Sequence, residues 1–409
     1  MNYSEAIDYI HAIPKFVRPL GNEKLSGLLD LLGNPHQKLR FVHIAGTNGK
    51  GSVSAMTAKI LECAGYKTGL FTSPYIEVFN ERIRINGEMI PDNALAEYVS
   101  NTAKLMKNNE ITVSEFAFIT AVAMSYFADC GCDIVVLETG MGGRLDATNI
   151  IPPPLCSVIT SISLDHTQYL GDTIQEITLE KCGIIKAGSR AVAAPNQKVV
   201  EIIKAYAKDI GAELTVCERA EKTENGFIYK GTEYMLGLKG IYQAENAAAA
   251  LETVYELIRC GFDIPQTAIQ EGFKSASWQA RYEFITPDIV IDGGHNKDGI
   301  RALKECLVAE KRPVTLVMAM MHDKDYGECI PHIIEIAEKV YATTLDMPRA
   351  LSADEIKRIC DMYGVECVVC KSTKEALSGA VSARGDGLVC VCGSLYLAGE
   401  ARAFLKQGI

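Results

Sequence analysis

Phe41-Val42-His43-Ile44-Ala45-Gly46-Thr47-Asn48-Gly49-Lys50-Gly51-Ser52 is the stretch that decides the fold. The apolar run Phe41 to Ala45 reads as a buried parallel strand, broken by a glycine-rich turn, and Val53 to Ala64 reads as a helix. Strand, glycine turn and helix start make a phosphate cradle. Glycines let backbone N–H groups converge on an anion, the helix N-terminus adds partial positive charge, and Lys50 neutralises terminal phosphates. A hydroxyl just beyond the lysine can meet the magnesium ion that accompanies the phosphates. The match to G-x-x-x-x-G-K-[ST] is imperfect: Ile44 takes the first glycine position, Gly51 follows Lys50, and Ser52 comes one place later. The flanking strand and helix support a nucleotide site over an ordinary turn.

Outward from this stretch, 409 residues exceed a comfortable single core and predict two domains. A hydrophobic content of 48% with 22% charged residues is ordinary for a soluble globular protein. No apolar run approaches the roughly 20 residues of a membrane helix, and no signal-like segment opens the chain, so a cytoplasmic protein without membrane contact is expected. Fourteen cysteines then read as reduced thiols. Cys367-x-x-Cys370 and Cys390-x-Cys392 lie in strand-like runs where small apolar thiols pack well, and they lack the paired spacing of a zinc site. A net charge of −10 argues against nucleic acid but leaves room for small anionic substrates.

Along the chain, two helical patterns in residues 4–33 precede the first strand, separated by Pro14 to Gly21. Strands are expected at Lys67 to Thr72, Asp133 to Glu138, Cys156 to Ser161, Arg190 to Ala194 and Glu213 to Cys217, with a hairpin around Asn86-Gly87. Helices are expected at Asn93 to Lys107, Ser114 to Ala128, Thr173 to Lys186, Lys198 to Lys208, Tyr242 to Arg259 and Pro265 to Phe273, with a small antiparallel element at Phe227 to Leu236. This alternation predicts an α/β fold: an N-terminal P-loop-type domain with a doubly wound parallel sheet, residues 1–280, and a smaller Rossmann-like α/β domain, residues 281–409. The second series has strands at Asp288 to Asp292, Val314 to Ala319, Lys339 to Thr343, Val365 to Val369 and Leu388 to Cys392. Its first strand runs into Gly293-Gly294-His295-Asn296 without a G-x-G-x-x-G signature.

Ligands of open α/β sheets bind beyond the carboxyl ends of the strands. Four strand ends deliver Lys50 and Ser52, Ser73, Glu138 and His166 to that edge, a set that suits a magnesium–nucleotide site. Asp165 is placed to orient or cap beside His166. Lys181 sits mid-helix, where periodicity alone gives an exposed surface lysine.

Gly46 to Ser52, Thr72-Ser73-Pro74, Glu81-Arg82-Ile83, Leu137 to Asn149, Leu164-Asp165-His166, Glu180 to Lys186 and Asp292 to Asn296 resemble, in order, the motifs of the folylpolyglutamate synthase/dihydrofolate synthase family of the Mur ligase superfamily. The string Gly142-Gly143-Arg144-Leu145-Asp146-Ala147-Thr148-Asn149 is similar to the folate branch in particular, whose wall-building relatives usually carry Thr where this chain has Gly51. The resemblance implies an ATP-dependent ligase that joins L-glutamate to a folate, and to dihydropteroate as well, through an acyl phosphate, working as a monomer. It implies Ser73, Glu138 and His166 as magnesium ligands with Ser52 near the first ion, and Lys181 as a carbamylated lysine. Gly46, Thr47, Asn48, Gly49, Lys50, Gly51, Ser52, Asn246, Arg281, Asp292 and His295 would meet ATP. Phe116, Leu145, Asp146 and Ala147 would meet the pterin, with Leu20 and Gly21 closing over it.

Three motifs depart from the family pattern: Tyr75 stands for a histidine, Trp278-Gln279-Ala280-Arg281 for Trp-Pro-Gly-Arg, and Ala117 for a glutamate after Phe116. The competing readings are a Mur-type ligase for a cell-wall precursor and a nucleotide-binding module without ligase chemistry. Gly51 and the string around Asp146 weigh against the first, and the full set Lys50, Ser73, Glu138, His166 and Lys181 against the second.

Overall fold

The computed structural model describes residues 1–15, 17, 21–195 and 197–406. Strands β1 (Phe41–Ala45), β2 (Thr68–Phe71), β3 (Ile83–Ile85), β4 (Glu88–Met89), β5 (Ile134–Glu138), β6 (Cys156–Ile159), β7 (Arg190–Ala193) and β8 (Glu213–Val216) form one sheet. Their order is β4-β3-β2-β5-β1-β6-β7-β8, parallel throughout except for the edge hairpin β3–β4, which turns at Asn86-Gly87. All five residues of β1 are buried, as a strand covered by helices on both faces requires. Phe41 alone, 1% exposed, contributes about 1.5–3 kcal/mol by leaving water.

The helix Glu115–Asp129 is apolar around its whole circumference and therefore buried from Ala117 to Ser125, joining Phe41, Phe71 and Leu137 in one core. Ser114 caps it, its hydroxyl accepting from Ala117 N. The departure residue Ala117 lies in that core. Helix Lys50–Cys63 follows the glycine turn directly, with Gly49 as its cap at φ +86°, a conformation open to glycine at little cost. Helix Gln266–Ser275 packs on it so closely that a Cβ at Gly272 would overlap Ile60.

The helix expected from Thr173 to Lys186 is shorter, Ile174–Cys182, and a separate turn of helix, Thr167–Leu170, precedes it. Gly183 follows its end, lying so close to Arg144 that a Cβ has no room. The small antiparallel element has three strands, β9 (Glu221–Lys222), β10 (Gly226–Tyr229) and β11 (Thr232–Met235), with Phe227 stacked on Tyr234 at 5.2 Å.

A second sheet holds β12 (Glu283–Thr286), β13 (Ile289–Ile291), β14 (Val314–Met318), β15 (Ala337–Thr343), β16 (Cys367–Cys370) and β17 (Leu388–Cys392), in the order β12-β13-β17-β14-β15-β16. Its core strands are parallel. The antiparallel edge strand β12, reversing at Pro287-Asp288, is an addition to the expected series. Cys390 and Cys392 are fully buried in β17, as apolar packing of thiols predicts.

Two compact units result: Met1–Gly237 with Ala244–Ser277, and Leu238–Gln243 with Trp278–Ile409. The chain thus enters the second unit briefly at 238–243, returns to complete the first, and crosses again at Trp278.

Candidate active site

Strands β2, β5, β1 and β6 are consecutive neighbours in the first sheet, so their carboxyl ends form one continuous edge. The register sets Phe71 beside Leu137, Ile44 beside Glu138 and Ala45 beside Ile159. The phosphate loop leaves β1 in the middle of this edge. Its shape is held from one side by residues after β6. Thr160 Oγ donates to Asn48 O at 2.7 Å, Ser161 Oγ to the same oxygen at 3.1 Å, and Thr47 N to Ser161 O at 2.7 Å. Thr47 Oγ donates to Ser163 O at 3.1 Å and accepts from Ser163 N at 3.0 Å, so its side chain is committed to this clamp. A Cβ at Gly46 would land on Thr160 Oγ, and one at Gly49 on Asn246 Oδ1. Asn246 is therefore brought to the phosphate loop, although its place in a helix face 197 positions away gave no such sign.

Lys50 Nζ folds back onto Gly46 O at 3.0 Å and Thr47 O at 3.1 Å, at the mouth of the turn. Lys181 is not the surface lysine that periodicity gives. It is 4% exposed, and its Nζ donates to the same Gly46 O at 2.9 Å. Burial, then repulsion from Lys50, lowers its pKa to about 7. Lys50 and Lys181 thus meet on one carbonyl oxygen of the phosphate loop.

Glu138, 4% exposed, ends β5, and its Oε2 accepts from Ser73 N at 3.1 Å just after β2. Ser52 lies buried in the first turn of helix Lys50–Cys63. His166 is half exposed at φ +53°, Asp165 Oδ1 accepting its backbone N–H at 2.9 Å and standing 3.9 Å from Nε2. Glu138 and Ser73, which meet at this edge, offer the carboxylate and hydroxyl oxygens that magnesium favours, and among the described residues no cluster of three or more His, Cys, Asp or Glu side chains is gathered for a metal.

The loop after β5 carries the other group of expected residues. Phe116 packs tilted on Phe71 at 5.7 Å and covers Gly140 so closely that a Cβ there would enter the ring. Asp146 is buried. Its carboxylate accepts from Met141 N at 2.8 Å, Thr148 N at 3.0 Å and Thr148 Oγ at 2.5 Å. Burial raises its pKa and these bonds oppose the rise. The side chain of Asp146 therefore frames the loop, and Leu145, exposed, and Ala147, buried, are its neighbours. Asn22 Nδ2 donates to Asp146 O at 3.0 Å, tying the segment after Gly21 to the loop; Leu20 lies outside the described residues.

Sequence reasoning missed the supports beneath this loop. Asn149 Nδ2 donates to Arg144 O and Gly183 O, and Lys186 Nζ donates to Asn149 O and Ile151 O. His43 Nε2 stands 2.8 Å from Thr148 Oγ. A histidine inside the apolar run of β1 was the available signal.

In the second unit, Asp292 is 3% exposed and saturated: Oδ2 accepts from Tyr242 Oη and Tyr282 N, both at 2.8 Å, and Oδ1 from Gly294 N at 2.7 Å. Arg281 is flanked by two left-handed residues, Ala280 (φ +53°) and Tyr282 (φ +49°). Such conformations cost about 1–2 kcal/mol each and are held by surrounding bonds. Here those bonds are Gly293 N to Ala280 O, Ala280 N to Glu283 Oε2, and Tyr282 N to Asp292, all at 2.8 Å. His295 Nδ1 lies 2.8 Å from Gly293 O, which only accepts, so Nδ1 carries the proton of this bond.

Comparison with known proteins gives a consistent picture. Residues 44–254 match the Mur ligase middle domain and residues 280–395 the Mur ligase glutamate ligase domain. The chain is 34% identical to the folylpolyglutamate synthase of Lacticaseibacillus casei, with 100% of both chains covered. It is 35% identical to the dihydrofolate synthase/folylpolyglutamate synthase of Bacillus subtilis, over 99% of each. A structure of Escherichia coli FolC in complex with DHPP and ADP aligns with a TM-score of 0.90 at 27% identity, covering 100% of this chain and 98% of that one. The Mycobacterium tuberculosis folylpolyglutamate synthase complexed with ADP aligns at 0.88, with 29% identity and 98% of each chain covered.

Proposed function

The chain belongs to the folylpolyglutamate synthase/dihydrofolate synthase family of Mur ligases, and we propose that it is the ATP-dependent ligase joining L-glutamate to folates, and to dihydropteroate as well. The observation that carries this reading is the convergence of Lys50, Lys181 and the Ser73–Glu138 pair on one sheet edge that also bears the Asp146 loop. A nucleotide and a carboxylic acid substrate need such adjacent seats.

In the reaction, a carboxylate oxygen of the acceptor attacks the γ-phosphorus of ATP, and ADP departs with the bridging oxygen. The glutamate nitrogen then attacks the acyl carbon, loses a proton, and expels phosphate from a tetrahedral intermediate. Phosphoryl transfer asks the protein mainly for position and charge. The glycine turn presents backbone N–H groups, and Lys50 leaves its carbonyl partners for the phosphates. Magnesium, held by Ser73, Glu138 and His166 with Ser52 nearby, would offset the negative charge of the transferring group. Lys181, poised near neutrality, is suited to carbamylation: its nitrogen bonds to the carbon of CO2 and a proton leaves, turning a cation into an anion. Asn246, Arg281, Asp292 and His295 are assigned to the nucleotide, with Asp292 acting by holding the Arg281 turn. Phe116 and the residues around Asp146 are assigned to the pterin. No helix among the described residues is long and apolar enough to cross a membrane, and we place the enzyme in the cytoplasm as a monomer.

Phosphate release with ATP, magnesium and L-glutamate, given either dihydropteroate or tetrahydrofolate, tests this. Turnover with both is expected. Turnover with tetrahydrofolate alone would restrict the protein to tail extension. Silence with both would overturn the reading.

A further inference from the structure

His43 occupies the centre of β1, fully buried between Val42 and Ile44. A polar ring in that place needs a reason, because an unpaired buried polar group costs about 1–3 kcal/mol. Its Nε2 lies 2.8 Å from Thr148 Oγ, and Thr148 Oγ lies 2.5 Å from Asp146 Oδ1. Both oxygens of Asp146 accept backbone N–H groups, from Thr148 and Met141, bonds that favour the ionised carboxylate against the burial that raises its pKa. Such a carboxylate only accepts, so the one proton of the Thr148 hydroxyl goes to Asp146. The hydroxyl oxygen must then accept from the imidazole, which places the histidine proton on Nε2 and leaves Nδ1 bare. Among the described residues Nδ1 has no hydrogen-bond partner. Burial, reinforced by the Lys186 charge, drives the ring pKa down to about 3, so it stays neutral.

We infer that His43 is a positioning residue for the acceptor side of the site, setting the Gly140–Thr148 loop through a directed His43–Thr148–Asp146 relay. This rests on the assignment of that loop to the pterin. Three residues after His43 the same strand opens into Gly46, the carbonyl on which Lys50 and Lys181 meet. One rigid five-residue strand therefore carries both the phosphate loop and the peg that sets the acceptor loop. The two reactants are registered against a common element, and an error of about 1 Å between reacting groups can cost 100-fold in rate.

The relay makes a demand that apolar packing does not: a donor at Nε2 and a hydroxyl at position 148. Thr148→Val keeps the shape and removes the hydroxyl, and His43→Leu keeps apolar volume and removes the donor. Both are expected to raise KM for the pteroate or folate acceptor about tenfold while KM for ATP stays within about twofold. Thr148→Ser and His43→Gln, which restore a hydroxyl and a terminal N–H, are expected to recover most of the loss. An unchanged acceptor KM, a parallel rise in both KM values, or failure of both rescues would overturn the relay. If His43→Leu does not fold, the isosteric Thr148 pair decides. A 15N spectrum of the wild-type imidazole gives a readout independent of turnover: a protonated Nε2 with a bare Nδ1 is expected, and the opposite tautomer sinks the inference. A wild-type protein silent with every acceptor overturns the proposed function, whereas an active wild type with indifferent variants overturns only the relay.

Discussion

Lys181 and Lys50 share the carbonyl oxygen of Gly46, and the consequence is electrical: at least one of the two ammonium groups sheds its proton readily. With its pKa lowered to about 7 against the ordinary 10.5, Lys181 is largely neutral above pH 7 and largely charged below it. Between those values the unfolded chain holds more protons than the folded one, so this residue makes stability rise with pH from about 7 to 10.5. Below pH 7 the full burial penalty of the charge applies. In CO2-free buffer Lys181→Met is therefore expected to unfold at higher urea than the wild type at pH 6, with the gap closing towards pH 10; an equal gap at both pH values would count against the lowered pKa. Gly49 makes a second test at this scale. Gly49→Ala forces a side chain into a left-handed position against Asn246 Oδ1, and an increase of about tenfold in KM for ATP is expected, with the acceptor KM unmoved in the same assays. The phosphate loop itself was legible because glycine, lysine and hydroxyl at fixed spacing have a direct chemical meaning. The resemblance names Lys181, but its burial was not legible from the helical pattern, which carries no record of its partner Gly46, 135 residues away in the chain. Asp146 was legible as a site residue by resemblance, but its role as a frame emerges only from its hydrogen bonds.

Among the elements, strands with buried residues on both faces were easy to read, since a run such as Ile134–Glu138 has no polar alternation to confuse it. Helix ends were harder. The pattern from Thr173 continues past Cys182 on paper, whereas the helix ends there and Gly183 lies against Arg144. The edge strand Glu283–Thr286 escaped notice because it is short and half-exposed, and its pairing is fixed by a neighbour and not by its own composition. The segment between Ser73 and Ile83 shows how a single acid organises an irregular stretch. Glu81 is buried, and its carboxylate accepts the backbone N–H groups of Ile76 at 2.8 Å, Glu77 at 3.0 Å and Val78 at 3.1 Å. Arg82 lies 5.3 Å from the ring centroids of both Tyr75 and Phe79, the former a departure from the family pattern. Bonds to a charged acceptor are worth about 1.5–3 kcal/mol each and are not additive. Glu81→Ala is expected to lower stability by about 3 kcal/mol in urea unfolding and to speed amide exchange at residues 76–78. Protection left intact there would mean that the loop is held by its aromatic contacts instead.

At the scale of the molecule, the two-unit division was legible from length and from the second run of strands, but the detour of Leu238–Gln243 was not. Six residues without a turn signature join the later unit because Tyr242 Oη reaches Asp292 and Ile241 N reaches Cys306 Sγ. Arg281, set between two left-handed residues, gives the prediction for this scale. Arg281→Ala is expected to raise KM for ATP at least tenfold and to leave equilibrium binding of the folate nearly intact; equal losses in both would remove Arg281 from the nucleotide's partners.

The interrupted order of the chain also bears on its synthesis. A ribosome delivers the eight-stranded sheet in full by Val216, yet helix Gln266–Ser275, which covers the helix behind the phosphate loop, emerges about fifty residues later. Between them comes a segment that belongs to a unit not yet made. The nascent first unit therefore completes the packing around its phosphate helix only once Ser275 has been made. Between 216 and 275 it has all eight strands of its sheet but not yet the helix that covers the one behind the phosphate loop, and incompletely covered apolar surface is what chaperones and proteases recognise.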